Sequence, residues 1–178
     1  MRFKSKLVLV LVFIIMSFSA FAAKSNKKED VKMPNIVLYD QYGKKHNIEE
    51  YKGKVVVINF WATWCGYCVQ EMPEFEKVYK EFGSNKKDVI ILGVAGPKSK
   101  ENQNNVDVEK DKVISFLKKK NITYPTLMDE TGKSFSEYGI KAFPTTYVIN
   151  KNGSLEGFVS GAISEEQLRK TIEETLKK

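Results

Sequence analysis

Two runs of this 178-residue chain, VVVINF (55–60) and VIILGVA (89–95), are apolar on both of their alternating faces. A strand covered on one side alternates apolar with polar residues, so runs like these belong inside a sheet with cover above and below. Between them Met72, Phe75, Tyr79 and Phe82 recur at helical spacing and form one apolar stripe. Pro73 falls inside that helix and predicts a kink near Met72. Further on, KVISFLKKK is a second amphipathic helix with Val113, Phe116 and Leu117 inward, reached through the long polar connection GPKSKENQNNVDVEKD. TYPTLMDETGKSFSEYGI reads as a short strand, a turn and a helical turn. TTYVIN (145–150) and SLEGFVSG form a hairpin about the KNG turn.

The last helix has a clear start. Ser164 and Gln167 stand three apart as a capping box, Glu165 and Glu166 suit the N-terminal dipole, and Leu168, Ile172 and Leu176 make the buried stripe. Strands joined through helices run parallel and hairpin strands antiparallel. The core order β-α-β-α-β-β-α therefore predicts an α/β domain: a mixed central sheet with helices on both faces. NIVLYDQYGKKHNI adds an N-terminal hairpin about Gly43, with His46 read as a surface residue of it.

The first residues read differently. MRFKSK is basic, LVLVLVFIIMSF is uncharged and apolar, and Ala20 and Ala22 have the spacing that a signal peptidase reads. Residues 1–22 are thus expected to be a signal peptide, 23–32 a flexible segment, and 33–178 the folded domain. An uncleaved membrane anchor is the alternative, since 17 uncharged residues stand near the lower limit for a span. Loss of Arg2, Lys4 and Lys6 takes the formal charge from +7 to +4. The remaining lysines are interspersed with acids and form no basic stripe with aromatics, which argues against nucleic-acid binding.

Both cysteines lie in NFWATWCGYCVQEMPEF, where the first apolar strand runs into the first helix. In an exported protein paired cysteines usually form structural staples. A Cys65–Cys68 bridge closes almost no loop, however, and constrains little. A closed zinc site needs four ligands, and the other strong candidate, His46, is nineteen residues upstream of Cys65. Redox chemistry is the reading that remains. Cys65 would sit at a helix N-terminus, where free N–H groups and the dipole favour a thiolate. Cys68, one turn later, is placed to resolve a mixed disulfide.

FWATWCGYC together with GIKAFPTTYVINKNG resembles the thioredoxin superfamily, and within it the extracytoplasmic TlpA/ResA-like reductases. The resemblance covers about residues 33–176 and implies a thioredoxin-like fold with a helical insertion before TYPTLMD. It implies that Pro144 is a cis-proline facing the cysteines, and that the Phe143 backbone and Trp64 contact substrate beside Gly66 and Tyr67. Glu71 matches an acidic residue of this branch and would shuttle the proton of Cys68. Asn59 stands where cytoplasmic thioredoxin has a buried Asp, which leaves Glu71 as the acid. Gly66-Tyr67 matches the dipeptide of a periplasmic disulfide isomerase.

The expected protein is a monomeric, extracytoplasmic disulfide reductase without a metal or any cofactor beyond the Cys65–Cys68 pair. Its clients would be disulfide-bearing proteins such as apocytochrome c or an oxidised repair enzyme, for instance a methionine sulfoxide reductase. A membrane electron donor of the thiol-reducing kind would recharge it. The alternatives are a disulfide oxidase or isomerase and, from another class, a metal-carrying or redox-switched binding module.

Overall fold

The computed structural model describes residues 30–178. The expected signal peptide, its alternative as an anchor and most of the flexible segment lie outside these residues. Paired backbone begins at Val31, whose carbonyl accepts the Leu155 N–H at 2.8 Å, and Lys32 bridges to Ser154.

Five strands make the central sheet: β3 (Val55–Phe60), β4 (Val89–Ala95), β5 (Thr126–Met128), β6 (Thr145–Ile149) and β7 (Leu155–Ser160), in spatial order β5-β4-β3-β6-β7. The pairs β3–β4 and β4–β5 are parallel, whereas β6 runs antiparallel to both β3 and β7. The short strand 126–128 is thus the third parallel strand, and the closing hairpin joins the opposite side of β3. Both of these runs are interior, as their mainly apolar composition requires, and every residue of β3 and β4 is buried.

Successive side chains of a strand point to opposite faces. On one face Val55, Val57, Val89 and Ile91 pack under α1 (Gly66–Glu81), α2 (Lys110–Lys119) and α4 (Glu165–Leu176). On the other, Val56, Ile58, Phe60, Ile90, Leu92 and Val94 meet Phe135 and Tyr138 of the α3 (Lys133–Glu137) region, together with Ile36 and Ile48. Full burial of each such aliphatic side chain is worth about 2 kcal/mol. α1 continues through Pro73, whose missing N–H leaves the Val69 carbonyl without its helical partner. The capping box at Ser164 and Gln167 forms as the sequence predicts.

β1 (Val37–Tyr39) and β2 (Lys45–Asn47) form the N-terminal hairpin, which attaches to the β5 edge through Asp40 and Leu127. One expectation is corrected here. His46 is buried, with Nε2 at 2.8 Å from Asp40 Oδ2 and Nδ1 at 2.6 Å from the Tyr51 hydroxyl. The hairpin is covered on its inner side, and two polar partners make a histidine tolerable there.

Candidate active site

β3 hands the chain to a short connection in which the Trp61 N–H still donates to Val94 O, so the sheet guides the backbone one residue past its last strand position. Cys65 then caps α1. Its backbone is extended, its N–H donates to Ala62 O at 3.1 Å, and its sulfur accepts the Cys68 N–H at 3.2 Å. Cys65 and Cys68 are joined in a disulfide with their Cα atoms 5.3 Å apart. Cys68 is sealed in the core, while Cys65 retains 6 % of its surface, enough to make it the outer sulfur of the pair. Gly66 and Tyr67 between them face solvent.

The other predicted residues converge on this point. The Phe143–Pro144 peptide is cis and directly precedes β6, whose Thr145 pairs with Phe60 at the cysteine end of β3. Pro144 itself is buried, and the half-buried Phe143 ring meets the Trp64 ring edge-on at 5.6 Å. Trp64 is 63 % exposed.

Glu71 lies one helical turn beyond Cys68 and is 4 % exposed. One carboxylate oxygen accepts from Asn59 Nδ2 at 2.9 Å, and the other accepts the Ile163 N–H at 3.0 Å. Asn59 also donates to the Thr146 hydroxyl at 3.0 Å, which locks its amide in place. Burial pushes the Glu71 carboxyl up to about 7; the Ile163 N–H and the Asn59 amide hold it down, and Glu74 adds a smaller upward push. A carboxyl poised there gains and loses a proton near neutrality, which suits acid–base work.

Two residues at the site escaped the sequence reading. Asp107, in the polar connection before α2, is buried and accepts the Thr63 N–H at 2.7 Å as well as the Thr63 hydroxyl. Val106 O accepts from Trp64 Nε1 at 2.7 Å. The clue was available in NVDV, where an acid stands between two valines in an otherwise polar stretch. Among the described residues no three His, Cys, Asp or Glu side chains gather as metal ligands, and no helix is long and apolar enough to cross a membrane.

Residues 28–172 match the redoxin family. The chain belongs to that family. It is 31% identical over 150 residues to the thiol-disulfide oxidoreductase ResA of Bacillus subtilis, covering 84% of this chain and 77% of that protein. It is 30% identical over 140 residues to ResA of Geobacillus kaustophilus, covering 79% and 74%. Among solved structures, the exposed lipoprotein thioredoxin Etrx1 of Streptococcus pneumoniae superposes with a TM-score of 0.66 at 28% identity, covering 79% of this chain and 99% of that one. StoA of Bacillus subtilis gives 0.64 at 26%, covering 78% and 96%. The protein is therefore a ResA-like, thioredoxin-fold thiol–disulfide oxidoreductase, and its Cys65–Cys68 pair supports dithiol–disulfide exchange.

Proposed function

We propose that this protein reduces disulfides of extracytoplasmic client proteins. The observation that carries this reading is Glu71, buried one turn from the inner cysteine with its carboxyl near 7. In the reduced enzyme the Cys65 thiolate attacks one sulfur of a client disulfide. A mixed disulfide forms and the first client sulfur leaves as a thiolate, which takes up a proton. Glu71 accepts the proton of the Cys68 thiol, and the resulting thiolate attacks the Cys65 sulfur. The second client sulfur leaves and is protonated in turn. The client gains two electrons and two protons, and the enzyme ends as the Cys65–Cys68 disulfide. A membrane-borne dithiol donor restores it.

Trp64, Phe143, Pro144, Gly66 and Tyr67 border the outer sulfur and form the face on which a client segment docks. Export is supported by the leader-like composition of the first 22 residues, and the pneumococcal neighbour is itself described as an exposed lipoprotein. Apocytochrome c and oxidised repair enzymes are clients of the right chemistry.

Equilibration with a redox buffer of known potential tests the direction. Thioredoxin-like and strongly oxidising members of this fold differ by about 150 mV, or roughly 7 kcal/mol for two electrons. A value at the thioredoxin end supports the reductase, and one at the oxidising end makes the protein a disulfide donor. Cys65→Ser is expected to abolish insulin reduction, and Cys68→Ser to accumulate client-linked mixed disulfides visible on non-reducing gels.

A further inference from the structure

The connection from β4 to α2 reads as solvated surface, yet its last part is built into the active-site wall. Asn105 and Asp107 are both buried, Asp107 with only 2 % of its surface exposed. Asn105 anchors the segment by donating to Pro97 O at 2.9 Å and Asp129 O at 2.7 Å, and the Asp107 N–H donates to Gly96 O at 2.9 Å. Thus fixed, the Asp107 carboxylate grips the residue before Trp64. Oδ2 accepts the Thr63 N–H, while Oδ1 accepts the Thr63 hydroxyl and, at 2.7 Å, the Val108 N–H.

The neighbouring Val106 carbonyl takes the Trp64 indole N–H, and Phe143 supports the ring from its edge. A largely exposed tryptophan is thereby held in one orientation beside the outer sulfur, with exposed Tyr67 three residues on and exposed Val106 at its indole N–H. An exposed aromatic ring that is already fixed loses little rotamer freedom when a partner covers it, so its buried area counts more fully toward affinity.

We propose that Asp107 is a positioning residue for polypeptide clients: by clamping Thr63, and with Val106 O on the indole, it presents Trp64 as a preset apolar platform for a client side chain flanking the target disulfide. This inference rests on the client-reduction reading above. The occupant is an extended peptide segment with an apolar residue next to its cystine. A small hydrophilic disulfide such as oxidised glutathione reaches Cys65 without needing the platform.

The test is steady-state reduction by the purified protein of two substrates: a cystine-bridged peptide with leucines flanking one cysteine, and oxidised glutathione. Asp107→Ala is expected to raise KM for the peptide about tenfold, with kcat for the peptide and the rate on glutathione disulfide each within twofold of wild type. Thr63→Val, which keeps the branched side chain and the backbone N–H bond and loses only the hydroxyl that Asp107 accepts, is expected to raise the peptide KM about threefold with the same selectivity. It carries the test if Asp107→Ala does not fold. An unchanged peptide KM, or an equal slowing on both substrates, overturns the assignment. If wild type itself does not favour the peptide over glutathione disulfide, the client reading falls with it. If wild type favours the peptide and the variants keep its KM, only the role of Asp107 falls.

Discussion

Glu71 and Glu76 stand five residues apart on one helix and are buried to nearly the same degree, yet the fold treats their protons in opposite ways. Glu71 has two hydrogen-bond donors, and burial wins: its carboxyl rises to about 7. Burial also pushes Glu76 upward, but the Thr123 hydroxyl and N–H, the Lys80 ammonium at 3.0 Å and the Tyr124 N–H together outweigh it and hold the carboxyl below its ordinary value. The number of donors, and the charge on one of them, separates a proton store from a clamp. Glu76 pins α1 to the chain entering β5, whereas Glu71 serves the sulfur chemistry in the proposed mechanism.

The largest way to break this contrast is to remove the clamp. Glu76→Ala leaves the buried Tyr124 N–H without its acceptor and removes both part-buried Thr123 bonds; it should cost about 4 kcal/mol in urea unfolding, taking roughly 1–3 kcal/mol for the orphaned N–H and about 1 kcal/mol for each lost Thr123 bond. The pH profile of client release should stay as in wild type. A clamp variant that moves that profile would show that the two carboxyls are not separate.

The next effect is on stability against pH. Glu71 binds its proton more tightly folded than unfolded, so between about 4.5 and 7 the unfolded chain ionises first and stability falls as pH rises. The raised value corresponds to about 3 kcal/mol lost across that window, or roughly 6–12 °C in Tm. Glu76 has the opposite sign: its contribution is present above 4.5 and is lost as pH falls through its lowered folded value. Glu71→Gln should flatten the limb between 4.5 and 7 in thermal melts and leave the acid limb intact. It should also slow resolution of the mixed disulfide about 10²-fold at neutral pH, a usual loss for a positioned base. A melt that keeps its neutral slope in Glu71→Gln would assign that slope to another group.

Smallest is the donor count itself. Asn59→Leu removes one of the two donors to Glu71 and should raise its carboxyl further. The neutral limb of the melting curve, and the pH midpoint of client release, should both move to higher pH.

Glu71 and Glu76 are hardly distinguishable in QEMPEFE. Both flank the Met72–Phe75 stripe, so helical period brings both toward the core, but nothing local says how many donors wait there. Lys80, four residues beyond Glu76 on the same helix, is the one local donor; the others come from Asn59, Ile163, Thr123 and Tyr124, on other parts of the fold. Resemblance to a family singled out Glu71 and left Glu76 unread. The same limit hid Asp107, whose partner Thr63 is 44 residues away, and misplaced His46, whose cover is supplied by the hairpin's attachment to β5. By contrast, the interior strands, the capped last helix and the cysteine pair were legible, because in each the deciding pattern lies within a few consecutive residues. The mixed sheet was legible as a class. That β5 extends the parallel side while β6 turns antiparallel depends on long-range pairing.

The chain joins the described fold at Val31 and Lys32, beside the β6–β7 turn. Ile149, at that end of β6, pairs with Val56 near the start of β3, while Thr145 pairs with Phe60 at the end that leads to the cysteines. Those paired positions are separated by about 13 Å of strand, with the loops adding to it. The described domain therefore takes in its N-terminal chain at one pole and carries its reactive sulfur at the other. The entry of the chain and the approach of a client thus occupy opposite ends of the sheet, and neither crowds the other.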